Sequence, residues 1–256
     1  RVQAASESER RDIFRRRPLL SSDVEDPERI SLEMIYRKRV EFAVGHGISV
    51  GATESPDDFE RAIEVCTRVL PDYEIAVTDT PGSDERDRAA MQSMLTNGWL
   101  DMKQLAQLDR DVLIPALSTL TDDYAAWLDE QAARIGSEVV GYDVEAKDAL
   151  KRGQDTLLRL REGISVLATD NDALEAFRFA NLSMMQQRIH SLYALDKRRG
   201  GTRKIEDLKD PKNFTWRPFQ LAFILLSIPS LANPLHPDRT KPEDAVADLL
   251  WFPTGG

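Results

Sequence analysis

The sequence is poor in the residues that staple proteins or anchor them in membranes. One cysteine, Cys66, stands in 256 residues. A lone thiol excludes an internal disulfide and a cysteine-based metal cluster, and it fits a reducing, cytoplasmic setting. His46, between Gly45 and Gly47, has no second His, Cys or acidic residue placed to complete a ligand set, so a turn role outweighs a ligand or base role and no metal site is expected. Long apolar runs are absent. The longest, 221–228, falls far short of the roughly 20 residues a membrane span needs. Positive charge is scarce: 34 Lys and Arg against 44 Asp and Glu leave a net charge of -10. The chain as a whole is therefore excluded from coating nucleic acid, and any such contact must come from a local basic patch. Internal repeats and low-complexity tracts are also missing.

What is present is a globular composition, 41% hydrophobic and 30% charged, with enough length for one large or two small domains. Residues 1–29 form a charged, proline-interrupted lead-in, within which 6–17 could make a short polar helix. Between 30 and 82 the apolar residues alternate (Val40, Phe42, Val44; Ile63, Val65, Val69; Tyr73, Ile75, Val77). Glycine and proline break the runs, which predicts a small antiparallel β part of three or four strands. From 84 to 196 the period becomes helical. The segments 101–108, 112–135, 144–167 and 172–195 predict a bundle of long helices, broken at Gly136 and Gly141. Asp172 and Glu175 read as an N-terminal capping pair, and Met184 and Met185 as core. Asp122 and Asp123, like Asp109 and Asp111, read as solvated helix ends. The expected fold class is mainly α with a small antiparallel β part.

Residues 197–256 carry the signals for chemistry. A locally basic link, 197–217, leads to Arg217-Pro218-Phe219-Gln220, which opens an apolar helix with proline in its first turn; Pro229 is expected to stop it. After a proline-rich loop, 249–252 reads as a short buried strand that breaks into Pro253-Thr254-Gly255-Gly256. Helix, loop, buried strand and glycine turn is the entry order of a RecA-like motor domain. Backbone N–H groups of such a turn cradle phosphate in loops of the G-x-x-x-x-G-K-[ST] kind. The closing lysine and hydroxyl residue do not follow, and the first residue is Arg1, so the sequence reads as a segment of a longer protein. Gln220 sits where a glutamine could read an adenine edge.

Three blocks carry a resemblance. They are Arg39-Val-Glu-Phe-Ala-Val-Gly-His-Gly47; Ala176-Phe-Arg-Phe-Ala-Asn181 with Gln187-Arg188-Ile-His190; and Trp216-Arg-Pro-Phe-Gln-Leu-Ala-Phe-Ile-Leu225 with Asp248-Leu-Leu-Trp-Phe-Pro-Thr-Gly-Gly256. In these the chain resembles the helicase subunit of the DISARM phage-defence system of bacteria. The similarity runs from about residue 36 onward, by pattern more than motif over 84–170. It implies an ATP-dependent superfamily 2 helicase or translocase acting on DNA in antiviral defence. ATP and Mg2+ would be cofactors of the full-length protein, and a further DISARM subunit its partner in a heteromeric complex. By position, Gln220 would contact adenine, and Pro253, Thr254, Gly255 and Gly256 would form the front of the phosphate cradle. No catalytic residue of such a motor falls in this segment. Without the groups that neutralise transition-state charge, it is not expected to hydrolyse ATP alone.

The basic link is the expected place of DNA proximity, because paths for single-stranded or partly single-stranded DNA combine basic side chains with aromatic platforms. The candidate contacts are Arg198, Arg199, Arg203, Lys204 and Trp216, with Phe214 alongside. The competing reading is a protein–protein module in which helices such as 112–135 dock a partner defence subunit and ATP and DNA are handled elsewhere.

Overall fold

A computed structural model of the chain describes residues 2–3, 13–17, 26–38, 40–68, 88–241 and 248. The expected strand at 73–77, most of the helix considered at 6–17, and the final strand and glycine turn at 249–256, with Pro253, Thr254, Gly255 and Gly256, lie outside the described residues. The elements are β1 (Val2–Gln3), β2 (Phe14–Arg15), α1 (Pro27–Tyr36), β3 (Ser49–Glu54), β4 (Arg61–Arg68), α2 (Ala89–Thr96), α3 (Met102–Gln107), α4 (Arg110–Arg134), α5 (Asp143–Thr169), α6 (Asn171–Arg198), α7 (Pro218–Ala232) and α8 (Pro237–Thr240). The fold is mainly α with a small antiparallel sheet, as the change of hydrophobic period predicts. By contacts the chain divides into two units, Arg1–Ala76 with Ala132–Ala149, and Val77–Gln131 with Leu150–Gly256.

In the first unit β4 is the spine of the sheet. β3 runs antiparallel along it from Ser49↔Arg68 to Glu54↔Ala62, with a register shift at Thr53/Glu54. The short β1 and β2 pair antiparallel with Glu64–Val65 and Arg61–Ala62. The hairpin closes by local side-chain chemistry. Ser55 Oγ accepts from the Asp57 and Asp58 N–H groups at 3.2 and 3.3 Å, and the Asp58 carboxylate accepts from Glu60 N–H at 2.9 Å. Such side-chain turns fix the reversal before the ladder forms. α1 starts at Pro27, with the Asp26 carboxylate capping the Glu28 N–H at 3.0 Å. Its Met34 packs with Val139 and Ala146.

Two expectations are corrected here. Residues 40–44 are irregular rather than a strand. Their alternation reflects one buried residue, Phe42, and among the described residues the backbone makes a single bond to the lead-in, Arg17 N–H to Glu41 O at 2.7 Å. Phe14–Arg15, inside the stretch considered as a polar helix, is strand.

The second unit is helical, with a continuous core drawn from α2, α3, α4, α5, α6, α7 and the link before α7. α6 begins at Asp170, whose carboxylate accepts from the Asp172 and Ala173 N–H groups at 2.8 and 3.0 Å. The cap therefore precedes the expected Asp172 pair. Pro229 does not stop α7, which continues to Ala232. Proline lacks the N–H that would bond the carbonyl four residues back, so the Leu225 oxygen has no helical donor. Gly163 of α5 lies against it: a Cβ at position 163 would stand 2.1 Å from that oxygen. Glycine is the residue that permits this approach of two backbones.

Candidate functional site

The site grows from the link that enters α7. Phe214 O accepts from Met102 N–H at 3.1 Å and Trp216 N–H donates to Leu100 O at 2.8 Å. The link is thus tied as a short extended bridge to the chain that starts α3, where the Asp101 carboxylate caps Gln104 N–H at 2.9 Å. The Trp216 indole N–H donates to Asn181 Oδ1 at 2.8 Å, and the Asn181 amide donates to Phe177 O at 2.8 Å. Asn181 is 1% exposed and Trp216 6%. Two sequence blocks far apart, Ala176–Asn181 and Trp216–Leu225, therefore meet in one buried hydrogen bond. A satisfied buried pair of this kind fixes a unique packing and leaves a costly orphan if one member is lost. Arg178 belongs to the same framework, donating to Leu108 O at 2.7 Å.

This placement corrects one candidate contact. Trp216 and Phe214 belong to the core, so neither offers an open ring face on which a base could stack. Aromatic residues in a basic link looked exposed in sequence because their partners, Leu100, Met102 and Asn181, are remote.

Arg217 is the N-cap of α7 and Pro218 its first residue. Gln220, at the third position, accepts the Arg217 backbone N–H on Oε1 at 3.1 Å. This is half of a capping box, since a guanidinium has no acceptor to return the bond. The Gln220 carbonyl is therefore engaged, and its amide N–H groups have no partner among the described residues.

Gln220 opens on a cavity of about 420 Å³ lined also by Gln187 and Arg188 of α6, by Lys212 and Arg217, and by Trp216. The lining holds two guanidinium groups and one ammonium and no carboxylate, in a chain of net charge -10. Lys212 lies 2.9 Å from Asp210, and its ammonium holds that carboxyl below the usual carboxylate range. Arg188 is held in place by donating Nε to Asn213 O at 3.2 Å. The cavity is of ligand size and rich in donors, so it suits an acceptor-rich, anionic molecule. Met184 lines it, while Met185 packs against the core, which divides the expected methionine pair.

Of the other basic candidates, Arg198 is the last residue of α6, and Arg199, Arg203 and Lys204 sit in the exposed loop that follows it. Gly200 takes φ +76°. Asp196 shapes the loop: its O accepts from Gly201 N–H at 2.8 Å and its carboxylate from Arg203 N–H at 3.1 Å. A Cβ on Gly201 would stand 2.3 Å from that carboxylate. Among the described residues, Arg198, Arg199 and Lys204 make no ion pair, whereas Arg203 Nε lies 3.8 Å from Asp196. Cations here also suit the negative end of the α6 dipole.

Two charge clusters escaped sequence reasoning. Asp123 lies mid-helix in α4, and with Glu130 it grips Arg88: Nε donates to Asp123 at 2.8 Å and Nη1 to Glu130 at 3.0 Å. That pairing holds the Glu130 carboxyl below its ordinary value. Asp122 faces Arg161 at 3.3 Å. The seven-residue spacing of Asp123 and Glu130, one helix face, was the legible signal. The second cluster centres on Arg159 of α5, which bonds Asp248 through both Nη groups at 2.8 and 2.7 Å and lies 3.3 Å from Asp238. Asp248 is held below the usual carboxylate range by this guanidinium. His236 Nδ1 accepts from Asp238 N–H at 3.2 Å, which assigns the ring proton to Nε2, 3.1 Å from Glu162. His46 stands exposed in a turn with Gly47 at φ +71°.

These features define a mainly helical protein with a small antiparallel sheet and a cationic cavity at the start of its apolar helix α7. No described helix is long and apolar enough to cross a membrane. No protein-family model matches the chain. The chain is 32% identical over 229 residues, 88% of its length, to DISARM protein DrmA of Bacillus paralicheniformis. It spans 19% of that protein's length. Over most of its own length, therefore, the chain is a homologue of part of a DISARM protein.

Proposed function

We propose that this chain is the N-terminal part of an ATP-dependent superfamily 2 DNA helicase or translocase in bacterial antiviral defence, where it supports the motor and the DNA path. The DISARM relationship supports the defence role. The observation that carries the motor reading is the cavity at Gln220, which has cations and amide donors on its walls and no carboxylate. It fits ATP, whose base and phosphates are rich in acceptors; the phosphate cradle and Mg2+ belong to the stretch from Pro253 onward. The cluster of Arg198, Arg199, Arg203 and Lys204 contacts DNA through phosphates, since Phe214 and Trp216 of the link are buried.

The test uses the full-length protein that contains this chain. ATP hydrolysis is expected to rise with single-stranded DNA, and Gln220→Ala to raise KM for ATP about tenfold, the equivalent of one good hydrogen bond. DNA affinity should fall steeply with salt, less steeply once the loop cations are neutralised. Absence of stimulation by any nucleic acid would overturn the motor reading.

A second reading, a helical module that docks another defence subunit, is favoured by one feature. An apolar groove of about 460 Å³ runs between Ala173, Ala176 and Ala180 of α6 and Ile224, Ile228 and Leu231 of α7, with Leu231 71% exposed. Docking there would change little with salt.

A further inference from the structure

The cavity at Gln220 is lined mainly by α6, by the link at 212–216 and by the start of α7, and these sides differ in what they can offer. The α7 wall supplies donors: the Arg217 guanidinium and the Gln220 amide, whose carbonyl is already taken by the Arg217 backbone at 3.1 Å. The α6 wall is one helix face, with Met184, Gln187, Arg188 and Ser191 at three- and four-residue spacing. Among the described residues the Gln187 and Ser191 side chains make no hydrogen bond, so an amide oxygen and a hydroxyl line the cavity as open acceptors. Arg188 is different. Its Nε is fixed on Asn213 O at 3.2 Å, which orients the guanidinium and leaves its two terminal nitrogens free among the described residues. A base that carries both ring acceptors and an exocyclic amine needs donors and acceptors together; α7 supplies donors, and acceptor oxygens come from α6 and from Asn213 and Thr215 of the link.

We propose that Gln187 and Arg188 of α6 bind the nucleotide directly. Gln187 accepts from the exocyclic amine of the adenine ring, and Arg188 supplies positive charge to the same ligand. The helical bundle is then a wall of the nucleotide site and not just its support. This rests on the reading that the cavity at Gln220 takes ATP.

The experiment is titration of full-length protein with ATP, followed by steady-state hydrolysis, for Gln187→Ala, Arg188→Ala, Arg188→Lys and Gln220→Ala. We expect Arg188→Ala to weaken ATP about tenfold and Gln187→Ala about threefold, sizes typical of charged and neutral hydrogen bonds. KM should rise while kcat holds, the mark of lost ground-state binding, and Arg188→Lys should recover part of the loss. Gln187→Ala should also narrow the preference for ATP over GTP. If Gln220→Ala weakens ATP while both α6 variants bind it normally, the inference falls and the nucleotide reading stands. If Arg188→Ala lowers Tm and Gln187→Ala leaves Kd and base preference untouched, Arg188 is a tie to Asn213 alone and the inference falls. If ATP binds and none of the four variants changes its Kd, the cavity is not the base site and both readings fall together.

Discussion

The unit that holds α2, α3, α6 and α7 buries leucines on nearly every helix and bonds its few buried polar side chains to backbone groups or, for Asn181, also to the Trp216 indole. Among the described residues, the unit that holds the sheet has a far smaller cluster, Met34 with Val139 and Ala146, and depends on a hairpin turn and ladder bonds. Core burial supplies most of the free energy of folding, so the two units should differ in stability and in what breaks them. Side-chain volume and backbone approach limit the helical unit; turn chemistry limits the sheet unit.

The largest expected effect is Gly163→Ala. The new Cβ meets a backbone oxygen at 2.1 Å, so α5 and α7 must separate. A loss of about 3 kcal/mol is expected despite the better helix propensity of alanine, read by urea denaturation of the chain. Unchanged stability would show that α7 can slide.

Asn181→Leu comes next. It keeps the branched outline with bulkier methyl ends and strands the Trp216 indole N–H in the core, which should cost about 2 kcal/mol. Near-ultraviolet circular dichroism should report the altered tryptophan environment.

In the sheet unit, Ser55→Ala removes the acceptor for two turn N–H groups and should cost about 1 kcal/mol. Hydrogen exchange should quicken in β3 and β4 while the helices around Asn181 keep their protection. Equal quickening in both units would erase the comparison.

The smallest effect is ionic. Asp248 titrates below its unfolded value because of Arg159. The stability it adds is present above pH about 4 and fades as pH falls through the lower folded value. Arg159→Gln should flatten that acid limb, by less than about 1 kcal/mol for so accessible a pair.

How far these contrasts were legible in the sequence depends on their range. The long helices were, because periodicity is written into each one: the segments read at 112–135, 144–167 and 172–195 match α4, α5 and α6 within a few residues. The hairpin of β3 and β4 was nearly so. Local cues misled where tertiary packing decides: Pro229 is absorbed into α7, where the Leu225 carbonyl it leaves without a helical donor lies against Gly163, and the alternation at 40–44 has no neighbouring strand to pair with among the described residues. Of the site, Gln220 was visible from its place beside Arg217 and Pro218. Gln187 and Arg188 were quoted as part of a motif, yet their position across a cavity from Gln220 needed the fold. Trp216 was misread for the same reason.

The contact of Gly163 with the Leu225 oxygen acts as a key in a keyway. A carbonyl protruding from one shaft fits the single notch cut in the other, so α7 can neither creep along α5 nor roll against it without first lifting out of the slot. A pull or push delivered at Gln220 would then be passed to α5 as to the other half of one solid coupling, with no lost motion between them.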